Sequence, residues 1–135
     1  MTSRRKQRVN AMLALYQVFL LNKDIEDVFD DIDYILNEGE PTFLPFTELE
    51  EPIKTMLLDA YEHQDIVIDK INEQLADWDF VRLGVLEQSI LFLAVSEMVY
   101  ETADRAIIIN EAVDMAKQYC DEDAFKLVNG VLDKL

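Results

Sequence analysis

The sequence predicts an all-α fold, about seven helices forming two small packed bundles around one continuous core. Half of the 135 residues are hydrophobic, while glycine and proline number only three each, a balance that favours compact helices over disorder or a β-rich chain. Apolar residues recur at three- and four-residue steps through most of the chain, as on a helix buried along one side. The length supports one sizeable core and not two, so residues 1–135 read as a single domain.

Thr2 or Ser3 can cap a first helix that runs to about Leu21, with Val9, Met12, Leu13, Tyr16, Phe19 and Leu20 on its inner side. Asn22 to Asp24 is a turn, and Asp24 opens a second helix from Ile25 to Glu38, stopped by Gly39. Ile25, Val28, Phe29, Ile32, Ile35 and Leu36 form its apolar face, opposite Glu26, Asp27, Asp30, Asp31 and Asp33. Those acids do not make a calcium loop: Asp31-Ile-Asp33 lacks the next oxygen ligand, and Leu36 stands where the loop glycine belongs.

Glu40 to Phe46, with Pro41 and Pro45, breaks the periodicity and reads as an ordered loop, because Phe43, Leu44 and Phe46 demand burial. Thr47 and Glu50 form a capping-box pair for a third helix toward His63, with Ile53, Met56, Leu57, Ala60 and Tyr61 inward. Ile68, Ile71 and Leu75 continue as a short helix from Gln64, bent from the one before, and Trp78 and Phe80 anchor the turn that follows. Phe80 to Tyr100 is apolar on nearly all sides, which marks a central helix. The run Ile90 to Val95 also has strand character, but its flanks Glu87, Gln88 and Glu97 favour helix.

Two packed helices close the chain. Ile109, Ala112, Val113, Ala116 and Tyr119 form the stripe of the first, and Ala124, Val128, Val131, Leu132 and Leu135 that of the second. Asp121 is placed to accept from the free N–H groups opening the last helix, and Lys134 lies near its negative end. Glycine inside a helix costs roughly 1 kcal/mol relative to alanine, so Gly130 is expected to mark a close helix approach.

The net charge of −16 alone argues against a nucleic-acid ligand, but the charge is unevenly placed. Residues 1–23 carry Arg4, Arg5, Lys6, Arg8 and Lys23 and no acid, whereas the rest holds 7 bases against all 28 acids. A basic patch on an acidic body can be a local phosphate site, and the acidic remainder suits a basic protein partner. Cations at the positive end of a helix cost a few tenths of a kcal/mol or more each, a local violation that an anionic ligand would explain. A solubilising, fraying basic tail is the other reading.

No catalytic residue, metal site or cofactor is expected. There is no Gly-rich phosphate loop, no metal-ligand spacing and no nucleophile beside a base. Asp121, Glu122 and Asp123 sit where helix capping accounts for them, and His63 has no partner nearby in sequence to act as a catalytic base. No run of about 18 apolar residues could span a membrane, and no signal-peptide pattern is present. Cys120 is alone, so it forms no internal disulfide, which suits the cytoplasm.

The ends of the chain carry a resemblance. Ile109-Asn-Glu-Ala-Val, then Ala116-Lys117, an aromatic Tyr119 and Lys126-x-Val-Asn-Gly-Val-Leu-Asp-Lys134 resemble the C-terminal signature of the NusB family of transcription antitermination factors. Arg4-Arg-Lys-Gln-Arg8, Ala11 and Ala14-Leu-Tyr16 are similar to the family's Arg-rich first helix, and Ile90-Leu-Phe-Leu-Ala94 followed by Glu97 is similar to its central one. The likeness covers about the first 20 and the last 55 residues.

It implies binding of boxA-type single-stranded leader RNA together with the ribosomal protein NusE, within an elongation complex transcribing ribosomal RNA operons. It places Arg4, Arg5, Lys6 and Arg8 on the RNA, joined by Lys126 from a facing helix, and Tyr16 and Glu87 toward NusE. Four departures stand out. Val9 replaces a common Glu, Phe92 a usual Arg, Leu127 a stackable Phe, and Asp104-Arg-Ala lacks a common proline. Two alternatives stay open: a protein-binding homologue without useful RNA affinity, and a homodimer that buries the basic helix. The RNA reading requires the four leading cations to be free of neighbouring carboxylates.

Overall fold

The computed structural model describes residues 3–37, 49–76 and 79–135. Its helices are α1 (Arg4–Leu21), α2 (Ile25–Asn37), α3 (Glu51–Glu62), α4 (Gln64–Asn72), α5 (Val85–Tyr100), α6 (Arg105–Tyr119) and α7 (Ala124–Asp133), with a 3-10 turn at Phe80–Arg82. No strand occurs among the described residues. Gly39, the loop 40–46, Thr47, Trp78, and the side chains of Ile32, Asp33, Ile35 and Leu36 lie outside that description, so the expectations placed on them do too.

Ten consecutive residues of α5, Gln88 to Glu97, are buried, because α1, α3, α4, α6 and α7 all pack against it. An all-round apolar sequence therefore becomes a central helix, and Ile90–Val95 is helix and not strand. The helix begins at Val85, later than the expected Phe80. Gly84 interrupts the pattern, and Phe80 is held in its own turn, where its N–H donates to Asn72 Oδ1 at 2.7 Å and its carbonyl accepts from Gln88 Nε2 at 2.8 Å.

Ser3 caps α1 by accepting from the Lys6 N–H at 3.1 Å. Arg8 pairs with Glu97 at one end of α5, while the Phe19 ring meets Phe80 and Phe92 at 5.5 and 5.4 Å toward the other, so α1 and α5 run antiparallel. The expected inner side of α1 needs correction. Ala11, Ala14, Leu15 and Val18 are buried, whereas Leu20 is 51% exposed. Leu20 lies two residues, about 200° of helix rotation, beyond Val18 and so faces away from α5. Residues 7–12 are all buried because α2, α3 and α5 cover α1 from several sides.

Asp24 opens α2 as expected, with Oδ1 accepting from the Glu26 N–H at 2.9 Å, and Ile25, Val28 and Phe29 are buried. Glu50 is the N-cap of α3, not its third residue. Pro52 sits in the first turn, where its missing N–H costs nothing. His63 ends α3 and starts α4, the expected bend. In α4, Ile71 is buried and Ile68 only half-buried, while Val67 takes the second inward position.

The closing pair packs as its stripes require, although α6 starts at Arg105 and also buries Ile108 and Met115. Arg105 donates from Nη2 to the Leu132 and Asp133 carbonyls at 3.0 and 2.7 Å, satisfying the negative end of α7. At the other end of α7 it is the Asp121 carbonyl, not its side chain, that accepts from the Ala124 N–H at 3.0 Å.

Gly130 does not mark a close approach: a Cβ added there meets nothing within 4 Å. Gly130→Ala should therefore stabilise the protein by roughly 0.5–1 kcal/mol, read as a rise in the thermal midpoint. A fall would mean that the open space beside α7 is filled in solution.

One contiguous cluster of buried side chains draws on all seven helices. Phe92 is fully buried within it, so that departure lies in the core.

Candidate nucleic-acid interface

Helix α1 presents its basic segment in three different ways. Arg4 and Lys6 form no ion pair with any described residue, and Arg4 is exposed. Arg5 is held by α6: Nε donates to Glu111 Oε2 at 3.1 Å and Nη2 to Glu111 Oε1 at 3.0 Å, with Asp114 at 3.7 Å. Its side chain remains 68% exposed. The hydrogen bond from Arg5 holds the Glu111 carboxyl below its usual range, and the same bond raises the Arg5 pKa.

Arg8 is the largest correction. Its side chain is 10% exposed, and Nε lies 3.1 and 3.0 Å from the two Glu97 oxygens, with Glu97 equally buried. The Thr102 hydroxyl donates to Glu97 Oε1 at 3.0 Å. Arg8 is thus part of the packing between α1 and α5 and not an outward phosphate contact. Two of the four leading cations, Arg5 and Arg8, are engaged by carboxylates, contrary to the requirement set by the sequence.

Lys126 lies in α7 on a cleft shared with Gln74, Leu75, Leu127 and Lys134, and pairs at the surface with Asp123 at 3.3 Å. Leu127 is half-buried there, offering no ring on which a base could stack.

Tyr16 and Glu87 lie toward the end of the bundle away from Arg8, because α1 and α5 are antiparallel. Both are half-buried. Burial, and then the nearby Asp121 charge, raise the Glu87 pKa. Burial, Glu87 and Asp121 push the Cys120 thiol up to about 11, so at neutral pH it is the poorly nucleophilic thiol.

Elsewhere, His63 is exposed and its Nδ1 lies 2.9 Å from the Asp59 carbonyl, a surface histidine. With Asp59 and Glu62 it brings ligand-type atoms within 4.8 Å, all on exposed residues. No described helix is long and apolar enough to cross a membrane.

Sequence reasoning missed Glu97, Thr102 and Glu111 as partners of the basic segment. Glu97 carried a signal: it is the lone charged residue in the largely apolar run from Gln88 to Tyr100, and a buried acid needs a cation. Nothing local identified Arg8 as that cation, 89 residues away.

Comparison with known proteins bears on the fold and the family. The chain is 32% identical over 133 residues to the transcription antitermination protein NusB of Staphylococcus carnosus, covering 98% of each. Its fold is similar to that of T. maritima NusB, with a TM-score of 0.75 and 29% identity over 98% of this chain and 89% of that one. It is similar to the same degree, TM-score 0.75, to a structure of the antitermination factors NusB and NusE in complex with double-stranded RNA, at 26% identity over 97% and 93% of the two chains. The sequence profile of the NusB family matches residues 5–135, and the chain belongs to that family.

Proposed function

We propose that this protein is an RNA-binding antitermination factor that engages boxA-type single-stranded leader RNA with Arg4, Lys6 and the outer edge of Arg5. It does so together with NusE, in the elongation complex on ribosomal RNA operons. The observation that carries the reading is the start of α1, where Arg4 and Lys6 have no carboxylate partner among the described residues of an otherwise acidic protein. Backbone N–H groups opening a helix add to the attraction for phosphate. Family membership and the likeness to a NusB–NusE–RNA complex support it. Lys126 contributes, through its charge, to the path of a longer RNA.

Arg5 supports this reading in a reduced form. Glu111 takes two of its five N–H donors, leaving an exposed guanidinium edge. Loss of RNA affinity with retention of the protein-binding face is the second reading, and the engagement of Arg5 and Arg8 by acids favours it. Titration of a boxA-type oligomer with and without NusE separates the two. RNA bound by the protein alone, and more tightly with NusE, supports the first; RNA held only when NusE is present supports the second.

Tyr16 and Glu87 are proposed to face the basic NusE surface. A cation there favours ionised Glu87, whose pKa is raised in the free protein, so association releases a proton and weakens as pH falls through that raised range. Glu87→Gln should flatten this dependence in calorimetric titrations between mildly acidic and neutral pH. An unchanged profile would remove Glu87 from the interface.

A further inference from the structure

Arg4 and Arg8 both line a cavity of about 310 Å³ between α1, α3 and α5. That is the lower end of small-ligand sites, room for one ring and not for a peptide. Three features define what fits it. The walls from Pro52, Ile53, Met56 and Leu93 are apolar, so they suit the faces of a flat ring, with the Met56 sulfur an added favourable neighbour for an aromatic.

The second feature is spare hydrogen-bonding capacity. Arg8 uses only Nε on Glu97, and its terminal nitrogens, carrying four N–H groups, donate to no described residue although the side chain is nine-tenths buried. These N–H groups are not sealed from solvent and open onto the cavity, where a ligand can accept from them in place of water. Glu97 Oε2 accepts from Arg8 alone, whereas Oε1 also takes the Thr102 hydroxyl, so Oε2 can accept again.

The third is charge. Arg4 and Arg8 are matched on the lining by Glu50 and Glu97, which favours a neutral ligand over an anion.

We propose that this cavity receives one unstacked guanine or uracil base. A base carbonyl accepts from the free N–H groups of Arg8, and the adjacent ring N–H donates to Glu97 Oε2. Guanine and uracil place a carbonyl directly beside a ring N–H, and adenine has no carbonyl. Apolar walls around a base read along its hydrogen-bonding edge are a recurrent way of holding an extruded nucleotide. Arg4, four residues before Arg8 and on the same side of α1, meets the phosphate outside. The inference rests on the RNA-binding reading and gives Arg8 a base to read in place of a phosphate. The base comes either from bound RNA or from a free nucleotide.

The test combines an abasic scan of a boxA-type oligomer with Ile53→Trp, which fills the cavity from its wall and leaves Arg8 and Glu97 paired; circular dichroism checks that the variant is folded. In the wild type, removing one particular guanine or uracil base should cost at least tenfold in affinity, and in Ile53→Trp the same removal should cost nothing further. A scan that is flat, or identical in the two proteins, overturns the proposal while RNA binding itself stands. If the oligomer does not bind at all, guanosine and uridine monophosphates are titrated instead. Shifts of the Arg8 side-chain NMR signals in the wild type but not in Ile53→Trp support the pocket, and their absence overturns it together with the RNA reading.

Discussion

Glu97→Ala should lower the thermal midpoint by roughly 10–20 °C. Removing the carboxylate leaves the Arg8 guanidinium nine-tenths buried with no counter-charge, and breaking a buried pair in this way costs about 3–5 kcal/mol. For a chain of this size each kcal/mol corresponds to a few degrees. The Thr102 hydroxyl also loses its acceptor. The cost lies mainly in the stranded charge and not in the value of the pair. Replacing both partners, as Arg8→Met with Glu97→Leu, should therefore recover most of the loss, because apolar substitutes of similar volume often equal or exceed a buried ion pair. A double variant no more stable than Glu97→Ala would show that the pair itself stabilises the α1–α5 contact.

Arg4→Ala with Lys6→Ala should weaken RNA binding at least tenfold, about 1.4 kcal/mol, with no change in thermal stability. Both residues lie in the first turn of α1 and neither forms an ion pair with a described residue. Their removal even relieves an unfavourable placement of cations at a helix N-terminus. The choice of these two follows from the structure. Arg8→Ala would disturb the core, and a change in Arg5 would also release Glu111 and Asp114, so RNA affinity in either variant would mix two causes.

What the sequence could and could not show follows from the range of each signal. Helix number, the central position of α5 and the stripes of α6 and α7 are carried by local periodicity and were legible from it. The inner side of α1 was shifted because a helix covered by three others buries more than one stripe, and hydrophobic spacing does not reveal how many neighbours a helix has. Gly130 was misread because a glycine signals freedom without saying what uses it. At the site, the positions of the cations were plain, but their pairing was not. Arg5 with Glu111 and Arg8 with Glu97 are separated by 106 and 89 residues, and only the packing of α1 and α6 on the central α5 brings them together. The Arg-rich run that reads as one basic patch is divided by its helix into inward and outward sides.

The salt dependence of RNA binding tests the outward side most directly. Each phosphate neutralised on a single strand contributes about −0.7 to the slope of log K against log salt, so Arg4 and Lys6 account for about −1.4 of it, and the slope should become shallower by that amount in Arg4→Ala with Lys6→Ala. A double variant that keeps both the wild-type affinity and the wild-type slope would place the RNA elsewhere on the protein.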